Sequence, residues 1–204
     1  MEYLRLSRTN EEELIQSAID VLNRGGVVAF PTETFYALGA MYDKEEALKR
    51  LYELKRRPFE KAIPVMIGST EQLSLIATDV PEEANRLMEK YWPGPLTIVL
   101  KALSGLSRYL TAGTDKVAVR IPGESFALGL VRKSGFPITA TSANPSGVPP
   151  AEDAQAVLKY FGETLDLIID GRQTSGGAPS TIVEIVKGVV KLLRKGRIRK
   201  ITLD

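Results

Sequence analysis

The brevity of its apolar runs constrains this chain more than any other feature. "AIPVMI", "LTIVL", "VAVRI", "PITAT", "LDLII", "STIVEIV" and "VVKLL" are too short for helices and read as strands. Between them "EEANRLMEKYW", "ESFALGLVRKS" and "EDAQAVLKYF" carry apolar residues at helical spacing. Two further helices precede these. Thr9 with Glu12 forms a capping-box signature ahead of Leu14, Ile15, Ala18, Ile19 and Leu22, and Asp43 with Glu46 repeats it ahead of Ala47, Leu48, Leu51, Tyr52 and Leu54. The first feeds a buried strand over 27–30. The pair "TIVEIV" and "VVKLLR", separated by Lys187 and Gly188, predicts a hairpin, so the sheet should be mixed. With 204 residues, 44% of them hydrophobic, the expectation is one α/β domain over residues 1–204, built on a single twisted mixed sheet flanked by helices.

The chain has no histidine and no cysteine. That removes thiol nucleophiles, disulfides, imidazole acid–base chemistry and the usual zinc ligands, so any metal here would be a hard ion held by oxygens. A net charge of +2 excludes a general polyanion binder and leaves room for a local basic cleft. The N-terminus lacks an apolar leader and no run approaches a membrane span, which predicts a cytoplasmic protein without membrane contact.

Four loops at strand ends could carry chemistry. "PTETFYALGA" is either a turn whose threonines satisfy the backbone or a ligand loop. "LKRRPFEKAIP" gathers Lys55, Arg56, Arg57 and Lys61 at a helix end, where they either complement the helix dipole or clamp a polyphosphate. As a surface feature, Lys55 or Arg57 should be removable within about 0.5 kcal/mol of stability. "TATSANPSGVPP" offers hydroxyls, Asn144 and a glycine after a buried strand, as an anion nest or as an elaborate turn. Ser142, with no histidine to activate it, is a poor acyl-enzyme nucleophile. "DGRQTSGGAPSTIVEI" has Gly176 and Gly177 for close backbone approach, or is a mobile loop. Arg120 interrupts an apolar strand and demands an anion: Glu33, Glu184 or a ligand carboxylate. Pairing with either glutamate would make it structural.

In order and spacing, "GGVVAFPTETFYALGA", "KRRP", "YWPGPLTIVL", "VAVRIP", "TSANPSG", "PSTIVEI" and "LLRKGRI" resemble the YrdC/Sua5 family of threonylcarbamoyl-AMP synthases, over roughly residues 10–198. The resemblance implies a twisted α/β fold around a deep basic cleft, in the single-domain YrdC form without a C-terminal Sua5 domain. It implies the conversion of L-threonine, bicarbonate or CO2 and ATP into threonylcarbamoyl-AMP and pyrophosphate, for tRNA t6A modification by downstream threonylcarbamoyl-transferase proteins. Mg2+ would be held mainly by the ATP phosphates. The family's catalytic Lys-x-Arg and Ser-x-Asn signatures fall on Lys55 with Arg57 and on Ser142 with Asn144. Threonine would be held by Thr34, Arg120 and Ser180, with Met66 where many relatives carry histidine. Arg57, Lys61, Lys116, Ser142 and Arg194, with the backbone near Ala140 and Pro150, would line the ATP site; relatives often have a small hydroxyl residue where Lys116 stands.

Two other readings compete. The basic run Lys191, Arg194, Lys195, Arg197, Arg199 and Lys200 suits a double-stranded RNA or tRNA surface on the same fold, or a solvated tail. A hydrogenase-maturation carbamoyltransferase module would come with zinc-finger-like segments that a cysteine-free chain cannot build.

Overall fold

Residues 1–203 are described by a computed structural model. In chain order the elements are β1 (Glu2–Arg5), α1 (Glu11–Asn23), β2 (Val28–Pro31), β3 (Tyr36–Gly39), α2 (Glu45–Lys55), β4 (Val65–Met66), β5 (Ala77–Thr78), α3 (Glu82–Tyr91), β6 (Leu96–Ala102), α4 (Arg108–Thr111), β7 (Lys116–Arg120), α5 (Phe126–Ser134), β8 (Ile138–Thr139), β9 (Thr141–Ser142), α6 (Ala154–Phe161), β10 (Leu167–Asp170), β11 (Thr181–Val186) and β12 (Val189–Arg194). Among the described residues no helix is long and apolar enough to cross a membrane.

The strands form two sheets where one was expected. One runs β1-β10-β2-β3-β9; the other runs β12-β11-β6-β7-β4-β8, with β5 added at β6. The "PITATS" run is where the chain passes between them. It breaks at Ala140, so β8 pairs with β4 and β9 pairs with β3. The buried Thr139 hydroxyl fixes this crossing by accepting the Ala40 N–H at 2.8 Å and donating to the Ala40 carbonyl at 3.2 Å. Both sheets mix parallel and antiparallel pairs, and the hairpin expected at Lys187 and Gly188 joins β11 to β12.

Other expectations need correction. "YALGA" belongs to strand β3, paired antiparallel with β2, and only residues 32–35 form the turn between them. Neither capping box forms. The N-cap of α1 is Asn10, whose side chain accepts from Ser7, and that of α2 is Lys44. Both helices are therefore held by their apolar faces rather than by side-chain caps.

Strand alternation explains how the second sheet serves two purposes. Leu96, Ile98 and Leu100 of β6, Val117 and Val119 of β7 and Val183 of β11 all enter the main core. Thr97, Val99, Ala118, Arg120 and Ile182 alternate with them and face the other way, because successive strand residues point to opposite sides. A second core packs α1 and α5 against β2 and β10, through residues such as Ile15, Leu22, Phe30, Leu130 and Ile169.

Gly39 sits where β3 meets the crossing. A Cβ there would lie 2.6 Å from Phe30 Cε1 and 2.9 Å from Ile138 Cγ2. Gly39→Ala is therefore expected to destabilise the protein by about 1–3 kcal/mol through overpacking, read as a lowered midpoint in urea unfolding; an unchanged midpoint would show that the two sheets yield at this point.

Candidate functional site

A cavity of about 610 Å3 opens between the two sheets. One wall comes from the 32–35 turn, β3 and the Ala140–Ser142 crossing. The other is the face of β6, β7, β11 and β12 turned away from the main core, with Gly177 and Pro179 beside it.

The 32–35 turn fulfils the first reading of its sequence, a turn whose threonines satisfy the backbone. Thr32 closes it: its hydroxyl donates to the Phe35 carbonyl at 2.8 Å and accepts the N–H groups of Thr34 and Phe35. Thr34 borders the cavity. The main chain of the turn also holds the 172–180 loop, since the Thr34 carbonyl accepts Gly176 N–H at 2.8 Å and the Glu33 carbonyl accepts the Ser175 hydroxyl at 2.6 Å.

Three guanidinium groups reach the cavity wall: Arg57, Arg120 and Arg194. Arg57 folds back across its own loop and donates from Nε to the Lys61 carbonyl and from Nη2 to the Ala62 carbonyl, each at 2.8 Å. Burial holds its pKa below the usual arginine value. Arg194 wraps the Ser180 carbonyl with Nε and Nη2 and reaches the Ser180 hydroxyl at 3.0 Å. It keeps one side toward solvent, yet its pKa is also held down, first by the protein packed around it and then by the positive charges of Arg120 and Arg57. A β-bulge shapes this corner. Ile182 pairs with Arg194 and Val183 with Leu192, so Leu193 is the extra residue, and both Leu193 and Arg194 line the cavity.

Arg120 is paired with Glu33 at 2.5 Å, and both side chains are largely enclosed, at 9% and 13% exposure. Its anion in the ligand-free protein is thus Glu33, one of the three partners its sequence context allowed, as leaving a buried guanidinium unpaired would be costly. Met66 is displaced from its expected role. It is wholly buried in the second core, and its Sδ lies 3.9 Å from Arg120 Nη2, so it backs Arg120 and does not line the cavity.

Lys55 departs furthest from expectation. It is 2% exposed, and its ammonium donates to the Ser142 carbonyl and, at 2.6 Å, to the Asn144 carbonyl. Ser146 N–H returns a bond to the Lys55 carbonyl at 2.7 Å. The helix end is not a solvated surface, and Lys55 pins the 142–146 segment from beneath. Burial, and secondarily Arg57, pushes its pKa down to about 7. Asn144 is likewise occupied locally, donating to the carbonyls of Pro145 and Val148. Ser142, Ala140, Pro150 and Ser180 do line the cavity. Lys61 is exposed and outside its wall, and Lys116 forms an ion pair with Glu184 at 2.6 Å.

Thr97 is a further cavity residue outside the expected set. It is a hydroxyl residue on the polar side of "LTIVL", and it meets the Ser180 hydroxyl at 2.9 Å. The bulge at Leu193 has no sequence signature. The basic run is not a free tail: Arg194 holds Ser180, and Arg197 donates to the Glu33 carbonyl at 2.9 Å and to Ser175 at 3.0 Å, which ties both side chains to the loops that border the cavity.

The chain matches the Sua5_yciO_yrdC family model, described as telomere recombination, over residues 20–196. It is 43% identical to the threonylcarbamoyl-AMP synthase of Pyrococcus abyssi (strain GE5 / Orsay), over 91% of this chain and 55% of that protein. It is 40% identical to the threonylcarbamoyl-AMP synthase of Bacillus subtilis (strain 168), over 94% and 56%. The crystal structure of P. abyssi Sua5 complexed with L-threonine shares the fold with a TM-score of 0.88 at 42% identity, covering 96% of this chain and 57% of that one. The chain thus spans just over half the length of these relatives.

Lys55→Ala tests the buried pin. Removing the stem and orphaning two carbonyls should destabilise the protein by about 2–4 kcal/mol at pH 10. Because the folded-state pKa lies below the unfolded one, the unfolded chain binds more protons between about pH 7 and 10.5, so the wild type gains stability relative to the variant as pH rises through that window. Denaturant titrations at pH 7 and pH 10 should show the gap widening; a gap that narrows, or an effect within about 0.5 kcal/mol at both, would place Lys55 at the surface.

Proposed function

We propose that this chain, which belongs to the family of Sua5, YciO and YrdC proteins, condenses L-threonine, bicarbonate or CO2 and ATP into L-threonylcarbamoyl-AMP and pyrophosphate. The observation that carries this reading is the gathering of Arg57, Arg120 and Arg194 on one cavity beside the hydroxyls of Thr34, Thr97, Ser142 and Ser180. The relatives named for the same activity support it.

The chemistry asks little covalent work of the protein. The threonine ammonium gives up two protons to solvent as its nitrogen bonds the carbon of CO2, and it becomes an N-carboxylate that keeps one N–H. An oxygen of that carboxylate bonds to the α-phosphorus of ATP while the bond to the leaving pyrophosphate breaks. No side-chain nucleophile takes part, which suits a chain without cysteine or histidine. What is required is positioning and a positive potential on the side where pyrophosphate departs. Arg57 and Arg194 supply it without a carboxylate to cancel them, since their protein partners are carbonyls and a hydroxyl.

In this reading Arg57, Arg194 and Ser142, with the main chain at Ala140 and Pro150, hold ATP, while Thr34 and Ser180 face threonine. Lys55 and Asn144 act by shaping the 142–148 segment, and Met66 acts by backing Arg120. Lys61 and Lys116, outside the cavity wall, are left out of the binding set. Among the described residues no carboxylate lines the cavity, so they do not fit a magnesium ion held by protein carboxylates. Magnesium enters as part of the nucleotide substrate. The adenylate is a mixed anhydride, and its consumer would be a transferase that moves the threonylcarbamoyl group to tRNA.

Pyrophosphate release with ATP is expected to require both L-threonine and bicarbonate. Undiminished release in CO2-free buffer, or duplex-RNA binding with no threonine-dependent turnover, would overturn the reading. Arg57→Lys should slow single-turnover adenylate formation on the order of a hundredfold, because a point charge cannot hold the Lys61 and Ala62 carbonyls and still face phosphate. Threonine affinity should change little; a near-normal rate would remove Arg57 from the phosphate side.

A further inference from the structure

The loop that carries Arg57 lies mostly outside the protein interior. Pro58, Phe59, Glu60 and Lys61 are all exposed, between the end of α2 and Ile63 of the main core. Arg57 depends on this loop more than the other cavity arginines depend on theirs. Arg120 is tied to Glu33 and Arg194 to Ser180, each in another segment of the chain, whereas the two carbonyls that hold Arg57 belong to Lys61 and Ala62, four and five residues further on. Wherever the loop goes, the guanidinium goes with it.

Tyr52 grips this loop at both ends. Its main-chain carbonyl accepts the Arg57 N–H at 2.9 Å. Its hydroxyl lies 3.0 Å from the Lys61 carbonyl, the acceptor of Arg57 Nε, and 2.9 Å from the Tyr109 carbonyl in α4, so its one hydrogen is shared between the loop and that helix. Burial raises the pKa of the hydroxyl, against the opposing charge of Arg57 beside it, and the group stays a donor at neutral pH. The ring does as much as the hydroxyl. Phe59 packs with its centroid 5.8 Å from that of Tyr52 and 5.7 Å from that of Tyr109, and the Arg108 guanidinium lies 5.6 Å from the Phe59 ring. Neither Tyr52 nor Phe59 borders the cavity, so any influence they have on the chemistry passes through Arg57.

We propose that Tyr52, with Phe59 packed on its ring, is the positioning residue for Arg57, fixing the 57–61 loop so that the guanidinium faces the departing pyrophosphate. The inference rests on the threonylcarbamoyl-AMP reading above and adds to it two residues one layer behind the phosphate side. A guanidinium has five N–H groups, and Arg57 spends two of them on carbonyls, which leaves three for the ligand. Those three stabilise developing charge only if the fork is in place before the transition state forms, and a small misplacement forfeits much of the effect. An exposed loop cannot supply that precision from its own packing. The Tyr52 hydroxyl and the aromatic contacts of Phe59 supply it instead.

The test is a double-mutant cycle on the full chain, read by single-turnover adenylate formation at saturating ATP, L-threonine and bicarbonate, with thermal melts on every variant. Tyr52→Phe keeps the ring and removes one oxygen; it should slow the reaction roughly tenfold and leave L-threonine affinity unchanged. In an Arg57→Ala background the same change should have almost no effect, because the group it positions is gone. A merely structural tyrosine would shift the melts and leave the rate of the folded enzyme alone, and that result overturns the proposal. So does a loss of the same size that persists in the Arg57→Ala background. If Tyr52→Phe does not fold, Phe59→Leu, which changes an exposed ring, takes its place in the cycle with the same outcomes. Failure of the wild type to release pyrophosphate with threonine would instead strike down the threonylcarbamoyl-AMP reading, and this inference with it.

Discussion

A positive charge removed from water must be given oxygen, and in this protein most of that oxygen comes from the main chain. Lys55 is held by the carbonyls of Ser142 and Asn144, Arg57 by those of Lys61 and Ala62, and the partly enclosed Arg194 by that of Ser180, while the exposed Arg197 binds that of Glu33. Carbonyl dipoles solvate a cation without cancelling its charge, whereas a carboxylate would neutralise it. The loops that border the cavity are folded by these bonds, so the same interactions that shape the site leave it electropositive. Arg120 is the exception, since a glutamate behind the cavity wall pairs with it.

Much of the fold was legible because it rests on apolar periodicity. The strands β6, β7, β10 and the β11–β12 hairpin follow their apolar runs, and α3, α5 and α6 follow their helical spacing. The division into two sheets was not legible. It depends on a break at Ala140 and on where the Thr139 hydroxyl bonds, and local pattern does not encode either. β3 was hidden because its entrance carries the turn residues Thr32 and Thr34, and the buried strand behind them is only four residues long. The helix starts misled in the opposite way, since sequence signatures for caps were present and the hydrogen bonds were not.

The site divides along a similar line. Arg57, Arg194, Thr34, Ser142 and Ser180 were named from sequence and do meet at one cavity. Lys55, Met66 and Asn144 were named with them and sit one layer back, because motif membership reports that a residue is needed without saying whether it faces the ligand or the protein. Burial makes that distinction, and charge type is a poor guide to it: a lysine at a helix end looks solvated in sequence, yet α2 ends against the 142–146 segment and encloses it. Glu33 went the other way, entering only as a possible partner for Arg120 and emerging as a junction of the turn, the 172–180 loop and the chain beyond β12.

Reliance on main-chain acceptors also governs how this site can drift. Every residue type carries a carbonyl, so positions such as 62, 142, 144 and 180 can exchange their side chains without depriving Lys55, Arg57 or Arg194 of an oxygen. Correlated substitution between two positions reports contact only where both partners are side chains. Around this cavity, Arg120 with Glu33, Lys116 with Glu184, Thr97 and Arg194 with Ser180, and Arg197 with Ser175 are couplings that such correlations can register, whereas the bonds from Lys55 and Arg57 to main-chain carbonyls would leave no paired trace.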